Sequence, residues 1–517
     1  MGGGIAGLAA GTYACQSGFE TTIFEMNGIP GGNSTSWRRK GYLFEGGMHW
    51  LVGSSEKAPM HKLWLEVGAL RENNPVYNKD PFLTYMDENG PICLYRNPTR
   101  LREHLMAISP EDACAIDSLI KDIKALGKLA IPVMDVKGVQ MKRKQAPPIS
   151  MLFTLPGALS RMNKLGKISA EEYAQRFKHP GIRTLLNAVV GTSGFSASST
   201  AFTLGGLASG DAGYPKGGSL RMAQNMADTF NSLGGDILYN HKVERVEVEN
   251  NKACGVWANG TLYKADAVIV TVDTLAAIDH LFEKPLAEPW MDEMRHEIVP
   301  VNNAFICLGV RADLSLLLEG MLYPLKRPFN YFGRQQNTIG FNNYAQYEGY
   351  APTGCTALTC FLTGDTYDEW KSAKTDGTYK EKKANLASTV IDRLAEVVPE
   401  TEGKVEVWDV ATPLTYERYC GTWRGSWMSE MGPGCTRQEY PQKSESIDAL
   451  YFAGQRVMIP GGLPCALSTG RRAVQYLCKT TGVYFNAITS AYKRHANRKG
   501  NSIILTFPFL FNICDYW

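Results

Sequence analysis

The first hydrophobic pattern in the chain is that of a helix followed by a strand. Gly18 stands where it would end the helix, and residues 21–25 form a short run of β-branched and aromatic side chains, as strands do. The apolar positions that recur at helical spacing are Ile5, Leu8, Ala9, Thr12 and Tyr13. We therefore predict the order glycine loop, helix, loop, strand for residues 2–25.

The middle of the chain carries both helical and strand patterns. Residues 101–130 alternate charged and apolar positions as amphipathic helices do, and residues 165–190 look helical as well. A further helix is predicted between the glycine-rich residues 213–219 and the glycine pair at 234–235. Residues 266–272 are almost continuously apolar, which is typical of a strand buried in a parallel sheet.

The last part of the chain predicts a second sheet and a second glycine-rich unit. Residues 296–311 and 355–363 indicate strands, and a charged helix is expected at about 379–398. Residues 449–478 have the order strand, glycine loop, helix. Residues 481–517 are interpreted as a tail, first basic and then apolar.

The glycines near the start fit the pattern Gly-x-Gly-x-x-Gly through Gly2, Gly4 and Gly7. The first two would let the backbone turn sharply and approach a pyrophosphate, and the third would let the helix pack closely on the sheet. Unpaired amides at the start of the helix would then face the phosphates. Glu25 ends the next strand near the offset of about 20 residues at which an acidic side chain binds a ribose hydroxyl. Together these features predict a dinucleotide site.

The strand that normally precedes this glycine motif is absent from the pattern, since only Met1 stands before it. We therefore expect the first, central strand of the sheet to be missing. Two explanations are open: a truncated gene model, or a sheet that has lost its middle strand and binds the dinucleotide weakly. We favour the first.

A second glycine pair follows Glu25 closely, in the sequence Pro-Gly-Gly-Asn that contains Gly32 and Asn33. Such a pair is often a simple turn, but after a ribose-binding glutamate we expect a second approach of the backbone to the cofactor. Asn33 stands where a basic side chain often neutralises phosphate. Arg38 and Arg39 are candidates for that charge, and ordinary surface residues are the alternative.

The glycine-rich unit near the end of the chain has features of a flavin site. A hydrophobic strand ends at Gly454, and the pair that includes Gly462 would bring the backbone close to a flat ring. Leu463 and Pro464 would begin a helix, at a position where the missing N–H of proline is tolerated. The positive end of that helix would stabilise negative charge on a reduced flavin. The alternative is a strand–loop–helix unit without a nucleotide.

Composition adds mainly exclusions. The length of 517 residues suggests two or three domains, and a net charge of +3 gives no reason to expect a nucleic-acid partner. The 12 cysteines form no CxxC pair and no Cys/His cluster with metal spacing, which favours reduced thiols in a cytoplasmic protein and no metal. No secretory signal and no apolar run of about 18 residues is present, so any membrane association is expected to be peripheral.

Taken together, these segments resemble the phytoene desaturase-like flavoproteins, the group of carotenoid desaturases, carotene isomerases and retinol saturases. The resemblance covers residues 2–478, and it includes residues 213–219 and 242–248 besides the two glycine motifs. It implies that the backbone of Val243 meets the adenine of FAD. It also implies that Gly454, Leu463 and Pro464 contact the pyrophosphate and the flavin. Glu45, in place of the usual Asp, departs from the pattern.

The resemblance implies an α/β fold, with a Rossmann-like FAD-binding domain that lacks its first strand and an inserted α+β substrate domain. The FAD-binding domain is assigned to residues 1–75, 212–285 and 445–480. The substrate domain, with a helical part that faces a membrane, is assigned to residues 76–211 and 286–444.

The implied function is that of an FAD-dependent oxidoreductase that desaturates, saturates or isomerises a carbon–carbon bond of an apolar polyene or lipid-like substrate. NAD(P) as electron partner and the oligomeric state stay open. One alternative is a flavin amine oxidase, which would carry both glycine motifs. The other is a non-enzymatic prenyl-binding escort protein of related fold, although the intact second motif argues against it.

No catalytic acid or base is assigned. His49 and Tyr419 are candidates because they lie near the expected flavin segments, with packing roles as the alternative. The basic and then apolar residues 142–159 would suit an anionic membrane surface, or else a solvated loop and a buried helix. Aromatic residues that would line an apolar pocket, or fill a core, are Trp408, Tyr416, Tyr419, Trp423 and Trp427.

Overall fold

The computed structural model describes residues 1–71, 74–141, 151–191, 194–437 and 439–488, with the backbone alone for residues 151–155. The helices of this part of the chain are α1 (Ile5–Ser17), α2 (Pro59–Glu66), α3 (Pro98–Ile108), α4 (Ala113–Leu126), α5 (Met151–Leu165), α6 (Ala170–Ala174), α7 (Pro180–Ala188), α8 (Ala197–Ala208), α9 (Gly218–Ser232), α10 (Thr274–His280), α11 (Pro289–Glu297), α12 (Tyr367–Thr375), α13 (Tyr379–Val397), α14 (Pro413–Cys420) and α15 (Leu463–Thr481).

The strands of the same ranges are β1 (Thr22–Phe24), β2 (Ser36–Arg39), β3 (Tyr42–Glu45), β4 (Val76–Tyr77), β5 (Thr84–Asp87), β6 (Gly90–Cys93), β7 (Tyr214–Pro215), β8 (Asp236–Leu238), β9 (Val243–Glu249), β10 (Lys252–Ala258), β11 (Thr261–Lys264), β12 (Val268–Val270), β13 (Pro300–Val301), β14 (Asn303–Val310), β15 (Gly320–Tyr331), β16 (Arg334–Asn343), β17 (Thr356–Thr363), β18 (Val405–Ala411), β19 (Met428–Ser429) and β20 (Leu450–Phe452).

Two parallel strand pairs form the Rossmann-like part of the fold. β1 pairs with β8, and β12 pairs with β20. The backbone of Met1 and Gly2 joins the two pairs side by side. The amide of Gly2 donates to the carbonyl of Phe24 at 2.8 Å, and the amide of Thr271 donates to the carbonyl of Met1 at 3.0 Å. Met1 and Gly2 thus lie between the two pairs, at the position of the first, central strand of a Rossmann-like sheet.

Glycines allow α1 to pack very closely against its neighbours. A Cβ atom on Gly7 would lie 1.9 Å from the carbonyl oxygen of Gly2. A Cβ atom on Gly470 of α15 would lie 2.5 Å from the carbonyl oxygen of Ala6. Since no side chain fits at either contact, α1 can approach both the start of the chain and α15 at backbone distance.

A seven-stranded, largely antiparallel sheet forms the second part, in the order β18-β14-β17-β16-β15-β5-β6. α12 and α13 cover one face, where Trp370 and Leu394 are buried with the sheet residues. The predicted charged helix at 379–398 corresponds to α13. The predicted domain boundaries stay a prediction, although the parallel pairs and this sheet fall in the ranges assigned to different domains.

The region from α3 to α8 is helical and has a core of its own. Residues 165–190, which were predicted to be helical, form two short helices, α6 and α7, with a break between them. Ser169 and Glu172 form a capping box that starts α6, and Pro180 starts α7. Each start signal interrupts the apolar pattern only locally, so the pattern resembles one continuous helix.

In the described ranges, no helix has the length and the apolar character required to cross a membrane.

The contact between α1 and α15 leads to the first prediction. Gly470→Ala would insert a methyl group against the backbone of Ala6, so we expect the free energy of unfolding to fall by about 1–3 kcal/mol. In the control Gly206→Ala, in α8, the added Cβ meets nothing within 4 Å. That change should leave stability unchanged or raise it by up to about 1 kcal/mol. Urea unfolding of both variants measures the difference, and equal effects would contradict the close packing.

Candidate functional site

One large cavity, of about 2000 Å³, lies between the start of α1, the start of α15 and the seven-stranded sheet. Most ligand pockets are about 300–1,000 Å³, so this cavity has room for a dinucleotide and a second molecule. Gly4 and Gly462 both line it, although they belong to opposite ends of the sequence. The fold therefore brings the two predicted glycine motifs to one site.

Nearly all of the predicted cofactor residues line this cavity, namely Gly2, Gly4, Glu25, Gly32, Asn33, Val243, Gly454, Gly462, Leu463 and Pro464. Gly7 is not among the lining residues. Its position against the carbonyl of Gly2 matches the packing role that the motif gives to the third glycine.

Two helices begin at the cavity with free amides. Gly4 caps α1 and Gly462 caps α15, and neither cap has a side chain that accepts from the first amides. Neither helix has an acidic residue in its first turn. Each helix start therefore keeps unsatisfied N–H groups and roughly half a positive charge, which favours an anionic group between them.

Glu25 lies buried at one end of the cavity. Its Oε2 accepts from the amide of Gly3 at 2.7 Å, and its Oε1 accepts from the amide and the Nδ2 of Asn27, both at 2.8 Å. A carboxylate has about four acceptor sites, so Glu25 can still accept from a ligand hydroxyl. This is the arrangement expected of a ribose-binding glutamate.

The glycine pair after Glu25 forms a bare backbone surface beside α1. The amide of Gly31 donates to the carbonyl of Gly3 at 2.9 Å, and Gly4 pairs with Gly31 in a parallel bridge. Next to this surface, the Oδ1 of Asn33 and the Oγ of Ser34 are buried without a hydrogen-bond partner among the described residues. Buried polar atoms rarely stay unpaired, and a nucleotide with donor groups fits this cradle.

Arg38 and Arg39 do not line the cavity, so the structure agrees with the alternative that they are ordinary surface residues. Arg38 donates to the carbonyls of Gly41 and Gly349, and Arg39 pairs with Asp409 at 3.2 Å. Both residues are exposed, at the end of β2 next to the turn into β3. The free amides of the two helices supply positive partial charge at the glycine motifs.

Glu45 fixes the loop that carries His49. Its buried carboxylate accepts from the amides of Gly47 at 3.0 Å and Met48 at 3.3 Å. It also accepts from the amide of Ser219 at 2.9 Å and from the hydroxyl of Tyr214 at 2.6 Å. The glutamate that departs from the family pattern thus ties the loop after β3 to the start of α9.

His49 lies on the cavity wall, beside the ring of Phe361 at a centroid distance of 5.3 Å. Burial, and next the charge of Lys79, lower the pKa of His49 to about 4. At pH 7 the imidazole is therefore neutral, with one nitrogen that can donate and one that can accept.

Tyr419 is placed differently from His49. The Nδ2 of Asn27 donates to the carbonyl of Tyr419 at 2.8 Å, so Tyr419 lies near the Glu25 end of the cavity. Its side chain is 47% exposed. Of the predicted aromatic group, Tyr416, Tyr419, Trp423 and Trp427 line the cavity, whereas Trp408 does not.

The structure also shows lining residues that no sequence pattern indicated. Arg456 and Asp273 form a fully buried ion pair at 2.7 Å on the cavity wall. Lys79 lies beside His49, between β4 and β5. These residues are isolated in the sequence, and only the tertiary fold brings them to the site.

Residues 129–134 form another part of the wall and continue into a segment bound to α15. The amide of Val136 donates to the Oε1 of Gln475 at 2.9 Å, and the Nε2 of Gln475 donates to Asp135 at 2.7 Å. Arg471 also pairs with Asp135. We call residues 135–141 the strap, because they run along α15.

Met134 and Leu159, at the rim of the cavity, are large apolar residues with exposed fractions of 55% and 52%. Residues 142–150, which carry the basic part of the predicted membrane segment, lie outside the described residues.

Comparisons with known proteins agree with this geometry. Over 526 aligned residues, the chain is 22% identical to all-trans-retinol 13,14-reductase of Danio rerio, covering 91% of this chain and 84% of that protein. It is 24% identical to a chloroplastic prolycopene isomerase of Daucus carota, covering 88% of this chain and 75% of the relative.

Among solved structures, cyclohexylamine oxidase of Brevibacterium oxydans superposes with a TM-score of 0.58 at 14% identity, over 93% of this chain and 98% of that one. This likeness confirms the predicted fold class. The model of the family described as flavin containing amine oxidoreductase matches residues 5–478. The chain therefore belongs to this family, and it is an FAD-dependent oxidoreductase.

Proposed function

We propose that the protein desaturates, saturates or isomerises a carbon–carbon bond of an apolar, polyene-like substrate. The observation that carries this proposal is one continuous cavity, which joins a dinucleotide cradle to a second, largely apolar chamber. Bound FAD supplies the redox chemistry, because its ring can accept or donate a hydride.

The residues that we assign to FAD follow the order of the cavity. Glu25 and the backbone of Val243 would hold the adenosine, and the bare backbone at Gly2, Gly4, Gly32 and Asn33 would accommodate the pyrophosphate. The residues on the flavin side would be Gly454, Gly462, Leu463 and Pro464. The positive partial charge at the start of α15 would stabilise the negative charge of a reduced ring bound there.

The nature of the substrate is inferred from the chamber and from the relatives. Phe305, Met321 and Phe361 belong to its apolar wall. The names of two relatives concern a retinol and a carotene isomer, both of which are polyenes. The principal alternative is oxidation of a C–N bond. The family description and the likeness to cyclohexylamine oxidase are the two observations that suggest it.

We further propose that the substrate reaches the chamber from a membrane surface. Met134 and Leu159 at the rim would contact lipid, which is the contact expected of a peripheral protein rather than of a spanning one.

The direct test is the absorbance spectrum of the purified protein, followed by anaerobic titration. The purified protein should show the spectrum of oxidised flavin. Adding polyenes, either directly or after chemical reduction of the flavin, should change that spectrum, and polyene products should form in matching amounts. Amines should have no effect. Bleaching by amines with release of aldehyde, and none by polyenes, would replace the proposed function by the alternative. Adding NADPH or NADH in the same cell tests for a nicotinamide partner.

Glu25→Gln should weaken FAD binding about tenfold or more. The amide nitrogen of Gln cannot accept from the Gly3 amide or from a ribose hydroxyl. Fluorescence titration of the apoprotein with FAD measures the Kd. The exposed Glu20→Gln is the control and should bind FAD as the wild type does. Equal affinity of all three proteins would exclude Glu25 from the site.

His49→Ala should slow turnover about tenfold without releasing flavin, because the side chain lines the chamber and makes no hydrogen bond with the residues that the structure describes. His296→Ala, on the exposed surface of α11, is the control. Steady-state rates and bound-flavin absorbance are measured together. Unchanged rates in His49→Ala would remove His49 from the reaction.

A further inference from the structure

Lys79 lies on the wall of the cavity. It is half-buried, and it makes no ion pair and no side-chain hydrogen bond with the residues that the structure describes. Its Nζ lies over the ring of Phe82, 5.4 Å from the ring centroid. Burial lowers the pKa of Lys79, and the charge of Glu319 raises it. A partly desolvated ammonium without a counter-ion is costly unless another group compensates it.

The carboxylate that acts electrostatically on Lys79 is already engaged. Glu319 accepts from the hydroxyl of Tyr347 at 2.6 Å, and no ion pair joins it to Lys79 among the described residues. A small side pocket of about 10 Å³, enough for about one water molecule, lies between these residues and His49. The side pocket therefore leaves room for about one water molecule beside the ammonium of Lys79. Among the described residues, no oppositely charged group is in contact with that ammonium.

His49 provides a second polar group beside the ammonium. Its ring nitrogens have no hydrogen-bond partner among the described residues, and aromatic rings flank it. A neutral imidazole can donate one hydrogen bond to an oxygen atom. Lys79 and His49 thus present a positive charge and an adjacent donor to an otherwise apolar chamber.

We propose that Lys79 and His49 form a subsite for the carboxylate of an amphipathic substrate, with the apolar chain of that substrate in the chamber. The inference rests on the proposed function and narrows it from apolar polyenes to polyenes that end in an acid. A carboxylate is favoured over a hydroxyl or a hydrocarbon end because only an anion neutralises Lys79. A charge-assisted hydrogen bond of this kind also exceeds a neutral one in strength.

The test uses the FAD-loaded enzyme and two matched probes, retinoic acid and retinol, which share the polyene chain and differ in the end group. Titrations followed by the flavin absorbance give a Kd for each. The wild type should bind the acid at least about tenfold more tightly than the alcohol. Lys79→Met should abolish that preference, and Lys79→Arg should retain it.

Lys371→Met is the control, because Lys371 also lines the cavity with its Nζ over a ring, that of Tyr367 at 5.6 Å, but does not border the side pocket. It should keep the preference for the acid. The subsite is overturned if the wild type shows no preference, if Lys79→Met retains it, or if neither probe perturbs the flavin. In each case a normal flavin content leaves the FAD assignment intact, whereas loss of flavin from the wild type contradicts the proposed function itself.

Discussion

The backbone contact between α1 and α15 is the constraint on which the site depends. The carbonyl of Ala6 faces the Cα of Gly470 at a distance that no side chain permits. Because the two helices cross there, both of their starts open into the same cavity, although residues 5 and 463 are separated by most of the chain. The cofactor site is therefore a property of the completed fold, and neither glycine motif forms it alone.

The cavity has two ends, and the groups that lack a partner among the described residues differ between them. At the glycine end, Asn33 and Ser34 carry buried polar atoms without partners, and two helix starts carry free amides. In the chamber, Lys79 carries a charge that no described residue pairs with. A buried polar or charged group without a partner destabilises the folded protein. A ligand that binds to such a group supplies the missing partner and restores that stability. The glycine end suits a nucleotide rich in hydroxyl and phosphate groups. The chamber suits an apolar chain that ends in an anionic oxygen.

The features that sequence could predict are those determined locally. The glycine motif, Glu25 and α13 follow from short-range spacing, and the structure contains each of them. The apolar pattern at 165–190 indicated helical structure but not the break between α6 and α7, which the signals at Ser169 and Pro180 set. For Arg38 the sequence left a charge at the cavity and a surface position open, because contacts with distant residues decide where this side chain lies. Lys79 has no local signal, and its environment arises from strands far away in the sequence.

The strap has a consequence for how the protein exchanges its contents. The same helix that begins at the flavin end holds residues 135–141 along its side, through Gln475 and Arg471. Residues 129–134, directly before the strap, belong to the chamber wall. A displacement of this wall would therefore strain the contacts of the strap with α15, which would couple the entry of a bulky guest to the helix that begins at the cofactor site.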